Sequence, residues 1–151
     1  MNRSISASCA ALLVGLLAAC ATAPQPSPDL SFVRGCWITQ DHRQTMRWLP
    51  PHPASRAILG VLREEGSGLK EPERLLLEPS QIGLILVRTP AGSGAAMETF
   101  ALVGGGPFEA EFAGANNTRL FLQGGPEALQ VTYAAAGAQA VLFRGVRDGC
   151  D

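Results

Sequence analysis

The sequence has 151 residues, with 12 basic against 13 acidic side chains and 46% hydrophobic residues. That near-neutral balance gives no field for gripping nucleic acid or an acidic membrane surface, which sets both aside as charge-driven partners. The length suits one hydrophobic core.

The first residues divide into a polar start bearing Arg3, an apolar stretch from Ala10 to Leu17, and small residues up to Cys20. This is the grammar of an export signal. The apolar stretch is shorter than the roughly 18 to 20 residues of a membrane-spanning helix, so no transmembrane anchor is expected. Leu17-Ala18-Ala19-Cys20 resembles the bacterial lipobox, in which the cysteine is acylated and the chain is cut before it. The resemblance implies a lipoprotein signal peptide over residues 1–19, forming a helix with no place in the mature fold, and a lipid anchor on Cys20. An ordinary secretory signal with an incidental cysteine is the alternative. Ala21 occupies the place where an aspartate would resemble an inner-membrane retention signal. The resemblance therefore implies a lipoprotein of the cell envelope, held at the outer membrane and facing the periplasm. Residues 20–29 include Pro24, Pro26 and Pro28 and read as an extended tether. Loss of nineteen residues and one arginine from the 151 would leave 132, with 11 basic and 13 acidic side chains and a formal charge of −2.

With Cys9 removed and Cys20 acylated, Cys36 and Cys150 remain. Two thiols in an exported domain predict a disulfide. A metal site built with His42 or His52 is the alternative, although the spacing matches no Cys/His ligand pattern.

Residues 30–151 predict one all-β domain, because short runs of alternating apolar residues are cut every eight to twelve residues by Gly, Pro and Asn clusters. Strands are expected near 33–41, 43–49, 56–64, 73–79, 82–89, 97–103, 108–113, 118–123, 127–134 and 139–145. Phe108, Ala110 and Phe112 alternate with Glu109 and Glu111, and Leu129, Val131 and Tyr133 alternate with Ala128, Gln130 and Thr132, so each strand has an inner and an outer face. The run Ile82 to Val87 is apolar on both faces, which implies a strand covered on both sides or lining a greasy cavity. Gly104-Gly105-Gly106 has no following lysine or helical pattern and reads as turn geometry, not a phosphate cradle. No cofactor is implied.

Gly35-Cys36-Trp37, at the start of the first strand, resembles the Gly-x-Trp opening of lipocalin-like (calycin) barrels. With Leu30 to Arg34 before it, and Arg47-Trp48-Leu49-Pro50-Pro51 ahead of the strand Ala57 to Arg63, the first third resembles an uncharacterised bacterial family of small exported lipocalin-like domains. Thr45-Met46-Arg47 and Ala115-Asn116-Asn117-Thr118 depart from the acidic residues and the His-Asp-Phe-Pro run of that family. The resemblance implies an antiparallel up-and-down barrel of about 8–10 strands. It also implies that Gly35 and Trp37 close its base with an arginine of the last strand across the indole. Arg144 is the first choice and Arg147 the second; the alternative is that Arg144 points to solvent and Trp37 is ordinary core.

Catalytic chemistry is thinly represented. His42 and His52 fall in loops, no nucleophile and orienting carboxylate can be placed beside them, and Glu109 and Glu111 read as solvated outer-face charges. The expectation is a protein that is not an enzyme. Met46, Trp48, Phe100, Phe108, Phe112 and Tyr133, with Phe121 and Phe143, either line a ligand pocket or form plain core. Three classes follow: a binder of a small apolar or amphipathic molecule, an envelope interaction module or inhibitor of a hydrolase such as a lysozyme or protease, and, last, an enzyme. The interior discriminates between them: a continuous cavity there above ~300 Å³ favours the first, and a filled barrel with an exposed apolar loop patch favours the second.

Overall fold

The period-two alternation is realised as ten antiparallel strands. They are β1 (Gly35–Ile38), β2 (Gln44–Trp48), β3 (Ile58–Glu64), β4 (Glu73–Ser80), β5 (Gly83–Thr89), β6 (Glu98–Gly106), β7 (Glu109–Gly114), β8 (Arg119–Gly124), β9 (Ala128–Ala135) and β10 (Ala138–Asp148). The computed structural model describes residues 28–150 apart from 69, 93 and 95, so the expected signal helix and Cys20 lie outside the described residues. Each strand pairs with the next, and β10 pairs with β1, which closes the barrel. Closure leaves no sheet edge along the β1–β10 joint, where Cys36 opposes Asp148 and Trp37 opposes Arg147.

The alternation sends one set of side chains inward. Trp37, Met46, Trp48, Leu75, Leu77, Leu86, Phe100, Phe112, Leu120, Leu122, Leu129, Val131 and Phe143 are at most 2% exposed and form one core. Gly60 belongs to this packing: a Cβ there would lie 2.8 Å from the Trp48 ring atoms, so the indole rests flat on bare backbone.

One end, the base, is plugged. Asp29 caps a single 3-10 turn, Leu30–Val33, by accepting from Ser31 N at 2.8 Å. That contact, with help from Arg34, holds the Asp29 carboxyl below its ordinary pKa. Leu30, Phe32 and Val33 are buried across the base. The first strand accordingly starts at Gly35 and not at residue 33, because this turn occupies the segment. Cys36 and Cys150 form a disulfide with their Cα atoms 5.4 Å apart, which joins the first strand to the chain just past the last.

The other end, the mouth, is uneven. β10 pairs with β9 from Ala138 to Val146 but with β1 only from Val146 to Asp148. β1 is short because Asp41 accepts from Thr39 Oγ1 at 2.6 Å and from Arg43 N at 3.1 Å, folding the chain back into β2. Leu142 is the extra residue of a bulge, since Val141 opposes Thr132 and Phe143 opposes Val131.

Candidate functional site at the barrel mouth

Beside the upper part of β10 lies an open cleft of about 870 Å³. Its apolar lining includes Leu62 of β3 and Val141 and Leu142 of β10, with Pro72 on the β3–β4 loop. Its polar lining includes Gln44, Glu64, Ser67, Lys70, Glu71 and Glu73. The short β1–β2 hairpin and the Leu142 bulge together produce this space, because neither strand rises to cover the β10 flank.

Glu73 belongs both to the cleft and to a buried ionic cluster beneath it. Arg88 donates from Nε to Glu73 Oε1 and from Nη1 to Glu98 Oε2, each at 2.7 Å. The Tyr133 hydroxyl donates to Glu98 Oε1 at 2.8 Å, and the Arg88 guanidinium carbon lies 4.6 Å from the Tyr133 ring centroid. Phe100 meets the same ring edge-on, with centroids 6.3 Å apart. Register makes the cluster: Arg88 of β5 stands directly opposite Glu98 of β6, and Glu73 lies on β4 one inward position above Leu75, the partner of Arg88. Burial works against the Arg88 charge, but the hydrogen bonds and attraction of Glu73 and then Glu98 outweigh it and raise its pKa. The bond to Glu98 raises the Tyr133 pKa as well, with burial acting in the same direction. Two carboxylates against one guanidinium leave this cluster one negative charge in excess. Side-chain fork geometry and the stacked phenol hold Glu73 in place at the cleft floor.

The residues expected to line a pocket separate into three groups. Met46, Trp48, Phe100 and Phe112 are fully buried in the filled core, and none lines the cleft. Tyr133 stands half-buried in the ionic cluster. Phe108 is no strand residue: the chain turns at Pro107–Phe108 at the base, leaving the ring 53% exposed. Phe121 points outward from β8, between the buried Leu120 and Leu122, while Phe143 is core. In the run from Ile82, Leu86 is buried and Ile85 and Val87 on the other face are half-buried, while Ile82 shares the parity of Leu86 but is exposed because it falls on the β4–β5 turn.

At the base, Trp37 donates from Nε1 to Val33 O at 2.8 Å, and the arginine across its ring is Arg147, with its guanidinium carbon 4.3 Å from the ring centroid. Arg147 also donates to Arg34 O at 3.2 Å and to Pro126 O. Gly35, at φ +107°, leaves the room, since a Cβ there would come within 2.8 Å of Arg147 Nη1. Arg144 instead faces solvent and donates to Gln130 Oε1 at 2.7 Å. The reason is parity: Phe143 and Gly145 point inward, so 147 shares their face and 144 does not. His42 is exposed in the mouth turn and His52 in the β2–β3 loop at the base, while both described cysteines are consumed by the disulfide. Glu111 pairs with Arg119 on the outer wall, and Glu109 is exposed.

Sequence reasoning missed Glu73, Arg88, Glu98, Leu62 and Leu142. The signal for the first three was present, since Glu73 shares parity with Leu75 and Leu77, Arg88 with Leu86, and Glu98 with Phe100.

Fold and site together define a closed up-and-down β-barrel with an apolar core and an amphipathic cleft at its mouth among the described residues, an architecture compatible with ligand-binding calycin-like barrels. Comparison with protein-family models, curated proteins and solved structures found no match.

Proposed function

We propose that this chain is a lipid-anchored protein of the bacterial cell envelope, held at the outer membrane facing the periplasm through Cys20, that binds a small amphipathic molecule without transforming it. The mouth cleft carries the reading, in place of the interior cavity first expected, because Met46, Trp48, Phe100 and Phe112 are packed core. Its volume of about 870 Å³ falls within the range of small-molecule sites. Apolar walls at Leu62, Pro72, Val141 and Leu142 stand beside Glu64 and Glu71, which outnumber Lys70, with Glu73 paired to Arg88 at the floor, and this favours a ligand with an apolar body and a neutral or cationic head. The Cys36–Cys150 disulfide supports an oxidising compartment, and the Leu17-Ala18-Ala19-Cys20 run supports the anchor.

The test is native mass spectrometry of the full chain, extracted gently from its host beside a Leu142→Trp variant that fills the cleft. The expected result is a small molecule carried by the wild type and absent from the variant. Wild type that arrives empty, or a molecule retained equally by both, would overturn the assignment to this cleft. A second reading, an envelope interaction module, is favoured by the upper part of β10, which has a strand partner on its β9 side only. A co-purified protein in place of a small molecule would select it.

A further inference from the structure

We infer that the base of the barrel is a membrane-contacting face, with Ile82 and Phe108 resting in the interfacial layer of the bilayer that holds the Cys20 anchor. Ile82, 84% exposed, and Phe108, 53% exposed, sit on two-residue connections, β4–β5 and β6–β7, that are neighbours on the base rim. Single exposed apolar side chains are ordinary on protein surfaces. These two differ because the chain enters the barrel between them. Pro28 Cβ is 3.4 Å from where a Cβ on Gly105 would stand, just before the Phe108 turn. Pro28 also lines a shallow hollow with Pro79, Ser80 and Gly83, which flank the Ile82 turn. Cys20 is eight residues before Pro28, a reach of at most roughly 26–29 Å. The lead joins the barrel at the base, between the two turns, so the anchor draws on that end and not on the mouth.

The base rim carries charges of both signs, Arg34, Arg56 and Arg147 against Asp29, Glu109, Glu127 and Asp148, all exposed. The contact is therefore apolar and insensitive to salt, and the occupant is the bilayer interface itself, where an exposed isoleucine and phenylalanine lose contact with water. Among the described residues, the remaining large exposed apolar side chains lie elsewhere: Val103, Val141 and Val146 on strands, and Met97 on the mouth loop before β6. In this arrangement the mouth cleft faces away from the membrane.

This inference rests on the lipid-anchor reading of Cys20, and one experiment separates the two. Full-length acylated chain is reconstituted into phosphatidylcholine vesicles with or without brominated acyl chains, as Ile82→Trp, Phe108→Trp and, at the opposite end, Met97→Trp. Brominated lipid should quench the added fluorescence, over the wild-type background of Trp37 and Trp48, at least about twofold for the first two and not for the third, at low and high salt alike. Acylated, vesicle-bound protein with equal quenching at all three positions would overturn the contact while leaving the anchor intact. An intact mass lacking acyl chains would remove the anchor, and the inferred contact with it.

Discussion

Arg147 covers one face of Trp37 while the edge of the same indole is bonded to Val33, so a single side chain locks the last strand to the entry turn. Arg147→Lys keeps the charge but loses the planar fork that reaches Arg34 O and Pro126 O. The expected loss is about 1–2 kcal/mol in urea unfolding. Arg144→Lys, on the exposed outer face, should stay within about 0.5 kcal/mol of wild type. Equal effects at the two positions would remove the stacked arginine from the closure of the base.

The two tryptophans are predicted to differ under the same substitution. Trp37→Phe discards a satisfied hydrogen bond, whereas Trp48 Nε1 is buried with no partner among the described residues. Both changes lose ring volume, but only the first strands an acceptor. Trp37→Phe should therefore be the more destabilising by about 1 kcal/mol. Matching denaturant midpoints with unchanged slopes would contradict this.

Tyr133 is the sole tyrosine of the sequence, so phenolate absorbance reports it alone. Ionisation would set a phenolate against the Glu98 carboxylate, and the folded pKa lies above the ordinary 10.0. The sign follows: the neutral phenol contributes stability below pH ~10, and that contribution is lost as pH rises through the folded value. Native protein should titrate at higher pH than urea-unfolded protein. Glu98→Gln, which keeps an acceptor and removes the charge, should bring the native midpoint down. Coincident native and unfolded curves would count against the cluster.

Removing the disulfide should have a large effect. The bond joins positions 114 residues apart, for which the chain-entropy account gives a loss of about 4.7 kcal/mol on reduction. Urea unfolding of the wild type in the presence and absence of reductant, beside Cys36→Ser, is the check. A shift below about 1 kcal/mol would mean that residual structure in the unfolded chain already holds the ends together.

The ten strands were legible because inward positions repeat every second residue and the turns carry Gly, Pro or Asn; each observed strand overlaps its expected one. Parity explains what was misjudged as well. Ending the last strand at 145 ranked Arg147 behind Arg144, though Phe143 already fixed which arginine shares its parity and so reaches Trp37 at the base. Phe108 keeps the parity of Ala110 and Phe112 but lies past the end of the barrel, and alternation cannot show where a strand stops. The ionic cluster joins residues 10, 15 and 35 positions apart, so it depends on register across four strands. The cleft depends on the unequal heights of β1 and β10, which the hairpin turn at Asp41 sets through side-chain bonds no periodicity records.

The disulfide also defines a load path. Tension applied at Pro28 passes along eight residues to Cys36 and from there, through sulfur, straight to Cys150. Strands β2 to β10 sit inside the covalent loop and carry none of it when the pull is taken up beyond Cys150. A domain of this design can be tugged between those two points without being unravelled. In single-molecule pulling between those two points, the oxidised protein should release almost no contour length, and reduction should free the length of the whole barrel.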